Sequence, residues 1–262
     1  MVEGSPRAAD RSEIEVHFCI AGPAGGTPRE IEMGTADKIP IVLLPGMDGS
    51  GALLTRLVEC LTSFRPVRVI SFPNDEPLTY DDLTAYVLER LPDSRFVLLG
   101  ESFSGPIAIE AAATQQGVAG LILAASFARH PMPTVFVHLV RMLNLRWVPA
   151  GLVEAALLGS VERQDLKATL RRVLASLPPE IIRSRVSEVL RIDKRDRLRA
   201  VSCPILYLHA RFDRLVSRKC LDEVISLRPH CQVRTLNAPH MLLETHPVEA
   251  ASAIDDFCEQ LA

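Results

Sequence analysis

The run FVLLGESFSG at residues 96–105 is the stretch that decides the fold. Its apolar first half predicts a short buried strand, and the residues from Pro106 onward are typical of a helix. Ser102 stands between the two, with Gly100 and Ser104 two residues away on either side. A serine on a tight strand-to-helix turn leaves no room for large side chains at those positions. The run therefore predicts a nucleophile turn at Ser102, the alternative being a serine that only caps the helix.

Apolar runs of strand length recur along the chain and alternate with helix-like stretches. The predicted strands cover residues 39–44, 67–72, 96–99, 121–124, 205–208 and 232–236, and the helices between or after them cover 81–91, 105–116, 218–226 and 247–261. Continuously apolar strands are typical of a parallel sheet that helices cover on both faces. The sequence predicts an α/β fold with a mostly parallel central sheet. An earlier stretch, 13–20, alternates like an amphipathic edge strand.

This alternation stops for more than seventy residues in the second half of the chain. Amphipathic helical patterns occupy 163–177 and 181–190 there, and no strand pattern interrupts them. We interpret 129–200 as a helical lid inserted into the core. The core itself is then made of a first part, 1–128, and a second part, 201–262.

A serine nucleophile needs a general base and a carboxylate that orients the base. Asp213 follows the predicted strand at 205–208, and His240 follows the one that ends near residue 236. The carboxyl ends of parallel strands share one edge of a sheet, so we expect both side chains to meet Ser102 there. Another histidine is a weaker candidate for the base: His209, in or at the end of a strand, His230, in a polar turn, or His246, before Pro247.

The run LLPGMDGSG at 43–51 predicts a strand that enters a glycine-rich loop. Glycines allow backbone amides to turn inward, as an oxyanion hole requires. We assign this hole to the backbone amides of Met47 and Phe103. Gly46 in the loop, with Gly100 and Gly105 at the turn, supplies the backbone freedom. The spacing matches neither of the common phosphate-binding glycine motifs, which excludes a phosphate cradle.

Composition excludes several other classes of protein. The 262 residues have a net charge of −3, and no apolar run reaches the roughly 20 residues that a membrane-spanning helix needs. The first fifteen residues lack the apolar core of a secretory signal, so we expect a cytoplasmic protein. The six cysteines are scattered, without metal-ligand spacing, and we expect free thiols, no metal and no cofactor.

The segment from Arg129 to Arg199 is basic, with 14 Lys and Arg against 7 Asp and Glu, within an otherwise acidic chain. Such a segment could bind an acidic partner, such as an acyl carrier protein, or could simply be solvated. The candidates for binding are Arg141, Arg146, Arg163, Lys167, Arg171 and Arg172. The apolar stretch at 135–143, with Trp147, could face an anionic membrane, but we favour a roof over an acyl pocket. We expect no nucleic-acid partner.

Together these residues resemble the α/β-hydrolase superfamily from about residue 37 to the end. The resemblance is carried by the PGMDG loop, the GESFSG turn, Asp213 after its strand and NAPHMLLETHP at 237–247. It implies an eight-stranded core, a serine triad and a helical lid between strands six and seven. Residues 191–217 are also similar to the lid-to-core junction of small carboxylesterases and of pimeloyl-acyl-carrier-protein methyl esterases.

Two positions depart from the usual pattern of that superfamily. Pro45 and Gly46 stand where His-Gly is frequent, and a similar PG-x-DG loop occurs in some plastid-type acyltransferases. Ala210 and Arg211 replace a glycine that usually precedes the triad acid. The resemblance implies a serine carboxylesterase acting on small or medium acyl esters. A carrier-linked methyl esterase and an acyltransferase are the alternatives.

Overall fold

The computed structural model describes residues 38–131 and 150–261, all within the unit Gly34–Ala262. Six parallel strands form one sheet in the order β2-β1-β3-β4-β5-β6. Their bounds are β1 Ile41–Leu44, β2 Val67–Val69, β3 Phe96–Glu101, β4 Val118–Ala124, β5 Ile205–Ala210 and β6 Gln232–Leu236. The predicted parallel sheet is confirmed. The predicted edge strand at 13–20 lies outside the described residues.

Ten α-helices occur in the described parts of the chain. They are α1 Thr55–Thr62, α2 Tyr80–Leu88, α3 Gly105–Thr114, α4 Ala150–Leu158, α5 Gln164–Ser176, α6 Pro179–Val189, α7 Arg195–Ala200, α8 Arg218–Leu227, α9 Leu242–Thr245 and α10 Pro247–Glu259. Local signals set several of their starts. Thr79 and Asp82 form a capping box ahead of α2, and a proline opens both α6 and α10.

The sheet separates two apolar layers. On one face Val42 and Leu44 of β1 pack with residues of α2, α3 and α8. Ile41 and Leu43 of the same strand point to the other face and pack with α1 and α10. Every β1 side chain is buried, because helices cover both faces of the sheet.

Residues 150–200 are mainly helical, and the two chain segments that connect this region to the core lie side by side. Arg129 and Asp193 form an isolated antiparallel bridge, and the Lys194 amide donates to the Ala128 carbonyl at 2.7 Å. The chain thus leaves the core and returns to it at one place. Arg141, Arg146, Trp147 and the apolar stretch at 135–143 lie outside the described residues, and the lid boundaries 129–200 stay a prediction.

The five described cysteines are free thiols: Cys60, Cys203, Cys220, Cys231 and Cys258. Burial raises the pKa of Cys203, Cys220 and Cys231 to about 11 and that of Cys258 to about 12. A thiol with so high a pKa holds little nucleophilic thiolate near neutral pH. This is consistent with their role as packing residues.

Arg65 is a buried charge on the α10 side of the sheet. It is 2% exposed, and its Nε donates to Asp255 Oδ1 at 2.9 Å while Nη1 donates to the Ile39 carbonyl at 3.1 Å. We predict that Asp255→Ala lowers the free energy of unfolding by about 2–4 kcal/mol, because it leaves the guanidinium buried without its main partner. Urea denaturation measures this loss.

The neighbouring Asp256→Ala is the control, since Asp256 is exposed on the same helix. We expect its free energy of unfolding to stay within about 0.5 kcal/mol of wild type. Equal losses in the two variants would contradict a stabilising role for the Arg65 contact.

Candidate active site

The site lies at the carboxyl edge of the sheet, where the chain changes direction. From β1 the chain passes to β2 on one side and then to β3 on the other. Leu44 at the end of β1 pairs with Gly100 near the end of β3, so the loops that follow these strands start side by side. In open α/β sheets such a reversal opens the crevice in which ligands bind.

The turn after β3 has a strained backbone. Ser102 has a φ of 46°, in the left-handed region that non-glycine residues seldom occupy. A Cβ at Gly100 would lie 2.7 Å from Ala108 Cβ, and one at Gly105 would overlap Ser126 Oγ. The helix α3 therefore comes very close to the sheet, and only small residues fit on either side of Ser102.

The three residues assigned to a triad from the sequence lie together. Ser102 Oγ is 2.9 Å from His240 Nε2, and His240 Nδ1 is 2.8 Å from Asp213 Oδ2. The side chains of His240 and Asp213 are 7% and 3% exposed, so water is largely excluded from the second contact. The other oxygen of Asp213 accepts the amides of Leu215 and Val216, both at 2.8 Å. The arrangement can carry a proton from a serine hydroxyl to an oriented imidazole.

The three histidines that compete with His240 as the base, His209, His230 and His246, lie apart from this chain of hydrogen bonds. His209 is buried in β5, and burial lowers its pKa from the ordinary value. His246 precedes α10 and contacts Thr245 Oγ1 through its Nδ1 at 2.9 Å. His230 lies in the exposed turn before β6.

The loop after β1 brings its backbone to the turn at Ser102. The Gly46 amide donates to Glu101 Oε2 at 3.1 Å, and the Gly49 amide donates to the Gly46 carbonyl at 3.1 Å. The amide of Met47, between these two, donates to none of the described residues. Phe103 lies in the first turn that follows β3, where backbone amides have no partner within the helix. Both amides are therefore suited to a negatively charged oxygen.

Two buried carboxyl groups behind the loop were not predicted from the sequence. Glu101 is 7% exposed and its Oε2 accepts the Gly46 amide, and Glu244 is 2% exposed. Burial raises the pKa of both groups, and the Glu101 carboxylate beside it raises the pKa of Glu244 further. Of the two groups, Glu244 therefore has the stronger tendency to stay protonated.

Further supports come from residues that no sequence pattern connects with the site. The Tyr80 hydroxyl donates to the Phe103 carbonyl at 2.8 Å, and the two rings stack with centroids 4.7 Å apart. Ser126 Oγ donates to the Ser102 carbonyl at 2.7 Å. Arg185 of α6 donates to the Met47 carbonyl at 2.8 Å. No apolar or helical pattern in the sequence indicates which groups these residues contact.

The basic residues of 150–200 are partly engaged within the chain. Arg171 forms a two-pronged contact with Glu154, at 2.5 and 2.9 Å, and Arg163 binds Asp165 and the Glu244 carbonyl. Arg172 is exposed and Lys167 is half-buried. Of the four candidates that the structure describes, Arg172 and Lys167 are the two that form no ion pair with a described carboxylate.

Within residues 38–131 and 150–261 there is neither a metal site nor a membrane span. Within them, no group of three or more His, Cys, Asp or Glu side chains is arranged to hold a metal ion. No helix there combines the length and the apolar character that crossing a bilayer demands.

The buried carboxyl pair predicts a pH dependence of stability. The pKa of Glu244 is raised in the folded state, so protonation of this group contributes to the free energy of unfolding. The contribution is complete below the ordinary carboxyl pKa of about 4.3 and decreases as the pH rises through the folded pKa. In that range we expect wild type to lose about 1.4 kcal/mol per pH unit relative to Glu244→Gln, which keeps a donor without titrating.

Urea denaturation of both proteins from about pH 5 to about pH 8 measures this difference. Glu249→Gln is the control, because Glu249 is exposed at the start of α10, and its curve should follow that of wild type. Parallel curves for Glu244→Gln and wild type would refute the raised pKa.

The comparisons with known proteins agree with this fold. The sequence profile of the Alpha/beta hydrolase family matches residues 41–253. A pimeloyl-[acyl-carrier protein] methyl ester esterase of Xanthomonas oryzae is 26% identical over 83% of this chain and 94% of its own. The protein of the same name from Photobacterium profundum is 27% identical over 83% and 93%.

The backbone fold is also similar to that of a solved esterase structure. The thermophilic esterase from Thermogutta terrifontis superposes with a TM-score of 0.71 at 22% identity, over 87% of this chain and 92% of that one. The family profile spans most of the chain, from β1 into α10, and includes Ser102, Asp213 and His240. The chain belongs to the alpha/beta hydrolase family.

Proposed function

We propose that the protein is a serine carboxylic ester hydrolase that acts through an acyl-enzyme on small or medium acyl esters. The observation that supports it most directly is the pair of hydrogen bonds, 2.9 and 2.8 Å long, that joins Ser102, His240 and Asp213. Such a chain converts a weak hydroxyl nucleophile into an effective one.

In the acylation step, Ser102 Oγ adds to the ester carbonyl carbon while His240 Nε2 takes its proton. The carbonyl π electrons move to the oxygen, where the amides of Met47 and Phe103 and the positive end of α3 stabilise the charge. Collapse of this intermediate breaks the bond to the alcohol, which leaves with the proton from His240.

Deacylation repeats the same steps with water as the nucleophile. His240 takes a proton from water as the water oxygen adds to the acyl carbon. Collapse then breaks the bond to Ser102 Oγ, which recovers its proton from His240. Asp213 keeps the imidazole in the required tautomer throughout and stabilises its charged form.

The apolar composition of the lid favours an apolar acyl group. Leu158, Leu166 and Leu170 of this region form a buried cluster with Met241, the residue after His240. This apolar packing next to the loop of the general base favours a hydrocarbon chain over a charged one. A cytoplasmic location, expected from the sequence, stays a prediction.

We predict that Ser102→Ala lowers kcat for p-nitrophenyl esters by about 10³-fold or more, because the nucleophile is lost. The assay uses a series of acyl chains from short to long, with Ser226→Ala as the control. Ser226 lies on α8, where its hydroxyl contacts only the Glu223 carbonyl of its own helix. A folded wild type that cleaves none of these esters would contradict the esterase proposal.

A carrier-linked methyl ester is the second candidate substrate, because two relatives at 26% and 27% identity bear the name pimeloyl-[acyl-carrier protein] methyl ester esterase. In that case the basic lid would dock an acidic carrier protein. We predict that Arg172→Glu with Lys167→Glu raises KM for the carrier-linked ester about 10-fold at low salt. KM for p-nitrophenyl esters should not change. If the double variant and wild type had the same KM for the carrier-linked ester, docking through these two residues would be excluded.

An acyltransferase on the same fold is the third candidate, favoured by the PGMDG loop. An acyl-enzyme can pass its acyl group to an alcohol in place of water. Turnover with increasing alcohol, followed by quantification of acid and new ester, separates the two reactions. Free acid as the main product at every alcohol concentration would favour the hydrolase.

A further inference from the structure

A buried arginine of the lid region reaches the loop after β1. Arg185 lies on α6 and is 3% exposed. Its Nη1 donates to the Met47 carbonyl at 2.8 Å, and its Nη2 donates to the Pro73 carbonyl at 2.9 Å. Both hydrogen bonds go to backbone oxygens of the core, so the side chain ties α6 to two loops at the carboxyl edge of the sheet.

The loop after β1 packs closely against the guanidinium of Arg185. A Cβ at Gly49, where φ is 70°, would lie 2.7 Å from Arg185 Nη1. The guanidinium carbon is also 5.8 Å from the centroid of the Phe103 ring and 5.9 Å from that of Phe72, within the range of cation–π attraction. Arg185 therefore contacts both segments to which we assign the oxyanion hole.

A second buried charge holds the same loop from the opposite end. Glu101 Oε2 accepts the Gly46 amide at 3.1 Å, and the Gly46 carbonyl accepts the Gly49 amide at 3.1 Å. Arg185 binds the Met47 carbonyl, so both polar backbone groups of Gly46 and the carbonyl of Met47 have partners. The Met47 amide has no hydrogen-bond partner among the described residues. These hydrogen bonds thus hold the loop while leaving the Met47 amide available to a ligand.

Burying these two charged side chains is costly in free energy. An isolated buried guanidinium or carboxylate costs several kcal/mol of desolvation, and an apolar replacement of similar volume is often as stable. Burial lowers the pKa of Arg185, which is the sign of that cost, although arginine remains protonated in proteins. Strong, charge-assisted hydrogen bonds to the backbone are what these two side chains provide in return.

We propose that Glu101 and Arg185 are positioning residues that hold the Met47 amide toward the developing oxyanion. This inference rests on the proposed ester hydrolysis. It assigns to α6 of the lid region an indirect part in the reaction, since the oxyanion donor is held correctly only while α6 packs on the loop. Neither side chain exchanges a proton or forms a bond with the substrate.

The test replaces Arg185 by Met, which keeps the length and the packing of the stem, and by Lys, which keeps the charge but has one donor centre in place of the fork. We expect Arg185→Met to lower kcat for p-nitrophenyl esters about 10- to 100-fold with KM changed less than about 3-fold. We expect the kcat of Arg185→Lys to lie between that of Arg185→Met and that of wild type. The affinity of an aryl trifluoromethyl ketone, whose adduct with serine carries the oxyanion, should fall in proportion to kcat/KM.

The control is Arg183→Met, an exposed arginine of the same helix, which should keep the kinetic constants of wild type. A parallel change at Glu101 separates charge from packing, because Glu101→Gln keeps an acceptor for Gly46 and Glu101→Leu does not. We expect Glu101→Gln to retain more of kcat than Glu101→Leu.

Amide hydrogen exchange at Gly46 and Gly49 tests the inference without any substrate. We expect both amides to exchange faster in Arg185→Met than in Arg183→Met, because the loop loses its anchor at Met47. Wild-type exchange rates in Arg185→Met, or wild-type kcat in an active folded protein, would overturn the positioning role. An inactive wild type with exchange accelerated in Arg185→Met would overturn the esterase proposal and leave the anchoring of the loop intact.

Discussion

The close approach of α3 to the sheet is the constraint on which the site depends. Gly100 and Gly105 allow the helix to begin directly above β3 and β4, and the chain between them must then pass through a left-handed conformation at Ser102. Ser126 and Tyr80 hold this strained turn by hydrogen bonds to its carbonyl oxygens. The cost of strain, about 1–3 kcal/mol, is thereby offset by surrounding contacts, and the hydroxyl is presented to His240.

Buried charges surround the loop that follows β1, and their arrangement differs from that of the structural pair formed by Arg65 and Asp255. On the α10 side, arginine and carboxylate bind each other and join two parts of the core. At the site, Glu101 binds the Gly46 amide and Arg185 binds the Met47 carbonyl, and burial beside Glu101 raises the pKa of Glu244. The first arrangement stabilises the fold, whereas the second orients a single amide.

The helical region 150–200 contributes to the site from two directions. Its apolar cluster includes Met241, and the Met241 amide donates to the Leu157 carbonyl at 3.1 Å, which supports the loop that carries His240. Arg185 supports the opposite loop. The chain connection at Arg129 and Asp193 lies at one place, and these separate contacts join the helical region to the loops of the site.

The sequence by itself determined the parallel sheet and the order in which Ser102, Asp213 and His240 follow their strands. These features depend on local signals: continuous apolar runs, small residues around a serine, and polar residues at strand ends. Only the tertiary structure decided that Glu101 is buried, that Glu244 lies beside it, and that Arg185 reaches Met47, 138 positions away in the chain. An isolated Glu or Arg in a sequence is typical of a solvated surface, and the partner that makes its burial tolerable is set by the packing of distant elements.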